Sequence, residues 1–136
     1  MSARSTRVNF ENATNCCLIL VGSSLQHGIW NGSPPGVIAV QSTASWQNDS
    51  DGFMTGDQGS ASYAAVQVHN GSPVCIGYVV ISWDNPYVGS NSYSMSAPAG
   101  LSISYTGGGG NNATINVTLK LAAGREAERV TTTVEK

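Results

Sequence analysis

The feature that most constrains the fold of this chain is a two-residue alternation of apolar and polar side chains. Val8 and Phe10 alternate with polar neighbours, and segments 101–105 and 115–121 alternate in the same way. Successive side chains of a β-strand point to opposite faces, so this period indicates half-buried strands. No helical period occurs before the charged end of the chain. The sequence therefore predicts an all-β fold.

Turn signals divide these segments into short strands. Asn70-Gly71 separates segments 60–69 and 74–83, and this dipeptide is a strong signal for a two-residue hairpin turn. Segment 16–21 is apolar on both faces, which predicts a central strand that is covered on both sides. Many short strands at intervals of about ten residues predict a single-domain antiparallel β-sandwich of two packed sheets.

Composition limits the kinds of partner. The 136 residues suit one domain, and only 10% of them are charged. The formal net charge is -2 and the isoelectric point is about 5.5, which gives no basic footprint for nucleic acid and no polybasic attraction to anionic lipid. No run approaches the ~18 apolar residues of a transmembrane helix.

The N-terminal segment guides the expected location. Residues 1–7 contain no apolar run, so a usual signal peptide is not predicted. We expect a protein that is made in a bacterial cytoplasm, is released or deposited, and acts at the target-cell membrane from the aqueous side.

The three cysteines are expected to be buried. Cys16, Cys17 and Cys75 are interpreted as small apolar core side chains that stay reduced and react slowly. The alternative is a disulfide bridge from Cys75 to one of the adjacent pair. His27 and His69 stand at no ligand spacing to the cysteines or to each other, so no metal site is predicted.

No enzyme is predicted either. A hydrolytic site needs a nucleophile with a base, or paired carboxylates in a cleft, and both histidines lie in turn-rich surroundings. Oxygen-bearing side chains alternate over residues 48–52 as in calcium loops, but the distal bidentate carboxylate of those loops is missing. No cofactor is expected.

Charge concentrates near the end of the chain. Residues 124–130 carry four charged side chains in a chain that is otherwise poor in them. We expect a β-sandwich over residues 1–121 and a charged tail over residues 122–136, solvated and frayed or weakly helical. A partner-binding segment is the alternative.

Two turn-rich segments carry large apolar and aromatic side chains. Segment 48–56 contains Phe53 and Met54, and segment 83–93 contains Trp83 and Tyr87. The Gly, Asn, Asp, Ser and Pro residues around them favour surface loops.

The aromatic residues divide into two groups. Trp and Tyr rings suit the polar-apolar boundary of a bilayer, so Trp30, Trp83 and Tyr87, which have turn-forming neighbours, are predicted to be exposed. Trp46 and Tyr93 have strand-like neighbours and are predicted to lie in the core.

These segments resemble the aegerolysin family, and most closely the small component of binary insecticidal crystal toxins. The motifs that carry the resemblance are Ser-Asp-Gly-Phe-Met-Thr-Gly at 50–56 and Asp-Asn-Pro-Tyr-Val-Gly-Ser-Asn-Ser-Tyr at 84–93. The resemblance extends from the first residues to about Leu121. It implies a two-sheet sandwich that binds a sphingolipid such as ceramide phosphoethanolamine in insect midgut membranes.

The resemblance also implies partners and site residues. The partner would be a larger pore-forming protein, either like the membrane-attack-complex/perforin class or a β-rich crystal toxin, and a homo-oligomer is possible. An acidic family residue that selects the headgroup aligns near Thr55, so that function is either lost or taken by Asp57. The lipid-binding residues implied are Trp30, Phe53, Met54, Thr55, Asp57, Trp83 and Tyr87.

Two other functions remain open from the residues themselves. Exposed Trp and Tyr with Asn and Asp also suit a carbohydrate-binding or adhesion module. Low charge and polar strands would also suit a structural, self-assembling protein without a target.

Overall fold

The structure, a computed structural model, describes residues 3–122 and 128–136. In these ranges the chain forms β-strands and no helix, so nothing in them is a helix long and apolar enough to cross a membrane. The strands are β1 (Ser5–Ala13), β2 (Cys17–His27), β3 (Ile29–Trp30), β4 (Val37–Ile38), β5 (Ser42–Asp49), β6 (Asp57–His69), β7 (Ser72–Asn85), β8 (Asn91–Ala97), β9 (Leu101–Gly107), β10 (Asn112–Leu121) and β11 (Glu128–Val134).

The strands form two sheets that pack face to face. One sheet has the order β3-β5-β1-β10-β9, and the other has the order β11-β8-β7-β6-β2-β4. The predicted all-β sandwich of two packed sheets is therefore confirmed. Among the described residues, neighbouring strands are antiparallel except β1 and β10, which run parallel from Ser5 opposite Asn112 to Ala13 opposite Lys120.

The core lies between the sheets and is filled by inward side chains of the alternating strands. Val8 and Phe10 are buried, as the period of two predicts. Trp46 stacks on Phe10 with ring centroids 6.2 Å apart and lies 6.1 Å from the ring of Tyr63. Trp46 and Tyr93 are both buried, which confirms the prediction for these two residues.

A long hairpin of β6 and β7 fixes the position of the candidate site. Asn70 and Gly71 form its turn with φ angles of 50° and 79°, and two consecutive positive values are those of a type I′ turn. The predicted hairpin is therefore confirmed. At the opposite end of the same hairpin, Asp57 pairs with Asn85.

The prediction that segment 16–21 is covered on both sides is wrong. Val21 is 59% exposed and Ile19 also faces solvent. The described residues form two layers and none of their strands covers the outer face of β2, which lies next to the short edge strand β4. The apolar residues on both faces correctly indicated a strand, but they do not show that both faces of this strand are buried.

The predicted burial of the cysteines is confirmed only for Cys16, whereas the predicted free thiols are confirmed for all three. Cys16 is buried, Cys17 is half-buried and Cys75 is exposed, and all three are free thiols. Cys17 and Cys75 lie opposite Val66 on its two sides, so they are two strand spacings apart, roughly 9.5 Å. This exceeds the ~7 Å limit between the Cα atoms of a disulfide, which excludes a bridge between these two.

The exposures predict three different rates with a thiol reagent. Cys75 should react first and Cys17 more slowly, and Cys16 should react only on unfolding because burial raises the pKa of its thiol. A stopped-flow thiol assay measures this, with three free thiols expected in denaturant. Cys75→Ser should remove the fast phase, and a fast phase that persists in this variant would contradict the assignment.

The prediction of a frayed or weakly helical tail is wrong for Glu128–Val134. This segment is β11, which pairs with β8 from Glu128 opposite Ala97 to Val134 opposite Asn91. The β-branched residues 130–134 favour a strand, and the charges before them masked this signal. Residues 123–127, which hold much of the charged stretch, lie outside the described residues.

A row of hydroxyl groups crosses the outer face of the six-stranded sheet. Its members are in register on five neighbouring strands, about 4.8 Å apart, and they are Ser24, Ser60, Ser82, Ser94 and Thr131. Two pairs, Ser24 with Ser60 and Ser94 with Thr131, have oxygen atoms 3.3 Å apart. A shallow groove of about 400 Å³ runs along this row.

Candidate functional site

Two loops lie side by side at one end of the sandwich because the strands that carry them are paired. Residues 50–56 join β5 to β6 and are named here the Phe53 loop. Residues 86–90 join β7 to β8 and are named the Tyr87 loop. Strands β6 and β7 are paired up to Asp57 and Asn85. The end of the Phe53 loop therefore lies beside the start of the Tyr87 loop. This region is the loop end.

The loop end presents apolar side chains to solvent. Phe53 is 91% exposed and Val88 is 82% exposed, and Met54 and Ile29 are also exposed. A group of large apolar side chains that water surrounds on a folded domain commonly marks an interaction surface. The predicted exposure of Phe53 and Met54 is confirmed.

The Phe53 loop has an unusual backbone conformation. Met54 has a φ of 56°, a left-handed conformation that side chains other than Gly rarely adopt, and Gly52 has a φ of 115°. The Thr55 hydroxyl donates to the carbonyl of Gly52 at 3.0 Å. Such strain occurs preferentially at functional sites. The loop is thus held in a turn that projects Phe53 outward, and the Thr55 hydroxyl serves this turn.

Arg4 connects the Phe53 loop to the Tyr87 loop. Its backbone exchanges hydrogen bonds with Ser50, which begins the Phe53 loop, at 2.9 and 3.0 Å. Its guanidinium donates to the carbonyl of Tyr87 at 2.8 Å and lies 4.5 Å from the centre of that ring. A cation over an aromatic face is attracted by the ring quadrupole. Arg4 therefore fixes the half-buried Tyr87 ring beside the Phe53 loop.

Trp83 lies beneath the loops, so its predicted exposure is wrong. It is only 2% exposed, because it lies on the inward face of β7. Its indole Nε1 donates to Asn48 Oδ1 at 3.0 Å, and Asn48 Nδ2 donates to the carbonyl of Ile29 at 3.2 Å. Half-buried Trp30 meets Trp83 edge-on, with centroids 6.0 Å apart. The turn-forming neighbours of Trp83 indicated an exposed loop. Trp83 instead belongs to β7, and the alternation of that strand directs its side chain into the core.

Asp57 is also buried, at 1% exposure. Neither of its carboxylate oxygens has a hydrogen-bond partner among the described residues. Burial raises the pKa of this carboxyl from 3.8 to about 7, with smaller raising effects from Asp49 and Asp84 that oppose the Thr6 hydroxyl and Lys136. Asp57 therefore cannot touch a lipid from its present position.

Charges of both signs surround the loops. Burial raises the pKa of Asp84, while His27 and Lys136 act in the opposite direction. Lys136 Nζ donates to the carbonyl of Pro86, and burial followed by the charge of Arg4 lowers its pKa. Within the described part of the chain, no cluster of three or more His, Cys, Asp and Glu residues could hold a metal ion.

Two clefts open on either side of Met54 and Tyr87. One has a volume of about 440 Å³ and reaches Ile29, Ser50 and Phe53. The other has a volume of about 360 Å³ and reaches His27, Asp84 and Pro86. A zwitterionic group could therefore contact an aromatic ring, a cation and carboxylates within one small area.

Among the seven residues predicted to bind lipid, the structure brings four together at the surface, and these are Phe53, Met54, Thr55 and Tyr87. Trp30 lies to one side, half-buried, while Trp83 and Asp57 lie beneath. Sequence reasoning missed Arg4 and Val88. Arg4 had a weak signal, as one of only six basic residues in the chain.

The fold and the loop end define this chain as a β-sandwich with an apolar, mixed-charge end. Its structure is similar to the solved structure of the lipid binding protein Nakanori, with a TM-score of 0.64 and 10% identity, covering 88% of this chain and 72% of that one. Its sequence is 27% identical over 112 residues to an uncharacterized protein of Dictyostelium discoideum, covering 69% of this chain. The chain spans about a tenth of the length of that relative. No family model matches the chain.

Proposed function

We propose that this chain binds the surface of a target membrane through its loop end. The observation that carries the proposal is the cluster of solvent-facing apolar side chains there, with Phe53 and Val88 almost fully exposed beside the Tyr87 ring. Burying one such side chain contributes about 1.5–3 kcal/mol, so several together suffice for binding. The fold likeness to a lipid binding protein supports the same function.

The chemistry of the loop end suits a sphingolipid headgroup that carries both phosphate and ammonium, such as ceramide phosphoethanolamine. Two of the N–H groups of Arg4 donate to the carbonyls of Ala3 and Tyr87, which leaves others for a phosphate. Asp84 and the side of the Tyr87 ring that Arg4 does not cover would attract an ammonium group. Direct contact is proposed for Phe53, Met54, Thr55, Tyr87 and Trp30.

Trp83 and Asp57, the two buried residues among those predicted to bind lipid, are proposed to support the loop end without contacting lipid. Trp83 would act by holding Asn48 and Trp30, and Asp57 by joining the roots of the two loops.

The motifs that resemble the small component of binary insecticidal toxins support a second step. The bound protein would recruit a larger pore-forming partner, because the strands of the described residues all belong to the two packed sheets, which leaves none of them free to line a pore. Self-association on the membrane would be compatible with this step. The chain would thus be the membrane-binding, non-enzymatic component of a toxin.

Vesicle sedimentation tests the proposal. Glycan-free vesicles of phosphatidylcholine should bind the protein only when ceramide phosphoethanolamine is included, because its primary ammonium can donate hydrogen bonds to Asp84, whereas the trimethylammonium of phosphatidylcholine has no N–H to donate. The same vesicles loaded with dye should not leak with this chain alone. Equal binding without the sphingolipid would contradict the headgroup assignment, and binding to neither vesicle would contradict the membrane proposal.

A glycan is the second candidate ligand. The row of hydroxyls on the outer sheet face, with its groove of about 400 Å³, offers evenly spaced hydrogen-bonding groups to an extended sugar chain. Binding to immobilised glycans that is lost on Ser82→Val, together with no binding to the glycan-free vesicles, would favour this candidate.

A further inference from the structure

The roots of the two loops meet at a buried polar pair. Asp57 is the first residue of β6 and directly follows the Phe53 loop, and Asn85 is the last residue of β7 and directly precedes the Tyr87 loop. They face each other across the two strands, and both side chains are buried between the sheets. Directly opposed side chains in an antiparallel pair have Cβ atoms about 4.5–5.5 Å apart, close enough for their polar atoms to interact.

The amide donors of Asn85 are hydrogen-bonded, whereas the side-chain oxygens of Asn85 and Asp57 are not. Asn85 Nδ2 donates to the carbonyls of Ser5 at 3.0 Å and Asn111 at 2.8 Å, which fixes the orientation of the amide. Its Oδ1 has no donor within the described ranges, and neither Asp57 oxygen has a donor at hydrogen-bond distance there, although the Thr6 hydroxyl lies near enough to stabilise the carboxylate. Buried, unpartnered acceptors on two directly opposed residues are unfavourable unless a proton lies between them.

We propose that Asp57 and Asn85 form a latch between the Phe53 loop and the Tyr87 loop, closed when the Asp57 carboxyl carries a proton and donates it to Asn85 Oδ1. When the proton leaves to solvent, two acceptors remain face to face and the latch opens. This inference rests on the proposed function, since the loops that it joins are the proposed membrane surface.

The packing around the latch explains why opening would move the loops. A Cβ atom at Gly56 would collide with the carbonyl of Asn85 and lie 2.8 Å from the Cα atom of Pro86. The two loop roots are therefore in direct backbone contact. An ionised carboxylate in this site can gain water only if the roots separate.

The groups that face Asp57 act on its pKa in both directions, and the Thr6 hydroxyl on β1 lowers it. Asp49 on β5 and Asp84 on β7 raise its pKa, Lys136 after β11 lowers it, and Asp57 in turn raises the pKa of Tyr93 on β8. Burial is the largest effect and brings the pKa to about 7. In the unfolded chain the carboxyl ionises near 3.8, so it binds fewer protons there, and stability decreases as the pH rises from about 4 to 7.

The experiment measures binding of the whole chain to vesicles of phosphatidylcholine and ceramide phosphoethanolamine between pH 6 and 8.5. If only the latched state binds, the apparent affinity should fall about 30-fold over this range, since the protonated fraction falls from most of the molecules to a few per cent. Asp57→Asn keeps the shape, and its amide donates without titrating, so its affinity should stay constant. An Asp57→Asn variant with the parent's pH profile would overturn the latch.

Two further measurements test whether Asp57 is the group that titrates. His27→Gln removes the imidazole that lies beside Asp84 in the cleft next to the latch, and this variant should keep the parent's midpoint. NMR of the free protein should show the Asn85 side-chain amide shifting with a midpoint near pH 7, and no shift would overturn the latch even if Asp57→Asn fails to fold. If no vesicles bind at any pH, the proposed function fails, and the NMR titration still decides the latch.

Discussion

Replacing Trp83 by alanine is expected to destabilise the fold by about 3–5 kcal/mol for the lost ring and about 1–3 kcal/mol for the buried Asn48 oxygen left without a donor. Trp83 is almost fully buried, and its indole N–H supplies that donor at 3.0 Å. A domain of this size has about 5–15 kcal/mol of stability in all, so the variant should be largely unfolded at moderate urea concentrations. Urea denaturation measures the loss.

A matched pair of phenylalanine variants separates the hydrogen bond from the ring. Trp46 is buried like Trp83, but its indole N–H has no partner among the described residues. Trp46→Phe therefore removes an unpaired donor, whereas Trp83→Phe creates an unpaired acceptor. Trp83→Phe should be the less stable variant by about 1–3 kcal/mol. Equal stabilities would show that Asn48 finds another donor.

Replacing both Phe53 and Val88 by serine is expected to weaken membrane binding at least about 100-fold, since each contributes about 1.5–3 kcal/mol when buried and a tenfold change corresponds to about 1.4 kcal/mol. Both side chains face solvent in the free protein, so the unfolding free energy should change little. Sedimentation with vesicles that contain ceramide phosphoethanolamine measures the loss.

Val68→Ser is the matched control for this prediction. Val68 is 71% exposed, but it lies near the turn of the β6–β7 hairpin, roughly 36 Å along β6 from the loop end. It should bind vesicles like the parent protein. An equal loss of binding in this control would mean that general surface hydrophobicity drives binding, and would remove the loop end from consideration.

Local patterns predicted the parts of the fold that depend on local chemistry. The period of two placed Val8 and Phe10 inside, strand-like neighbours placed Trp46 there, and Asn70-Gly71 placed the hairpin turn. Side-chain direction and turn type follow from neighbouring residues. The pairing of β1 with β10 had no such signal. Nothing near residue 5 in the sequence indicates that it will lie opposite residue 112.

The candidate site shows the same division. Phe53 and Met54 could be placed on an exposed loop, since their immediate neighbours are turn-forming. Trp83 and Asp57 also have turn-forming neighbours, yet both are buried. Each lies in a strand at a position that faces the core, and the pairing of β6 with β7 over the whole hairpin determines which positions face the core. Arg4 reaches Tyr87 across 83 positions, a contact that a single sequence does not reveal.

The parallel pairing of β1 and β10 also bears on how fast the chain can fold. β1 lies between β5 and β10, and its partners in β10 are 107 positions later in the sequence. At a synthesis rate of about 5–20 residues per second, β10 leaves the ribosome several seconds after β1. The apolar side chains of Val8 and Phe10 stay exposed during that interval because their sheet is incomplete. Folds dominated by such non-local pairings reach the native state in milliseconds to seconds rather than microseconds. The nascent chain is thus exposed to aggregation for longer than a helical domain of equal length would be.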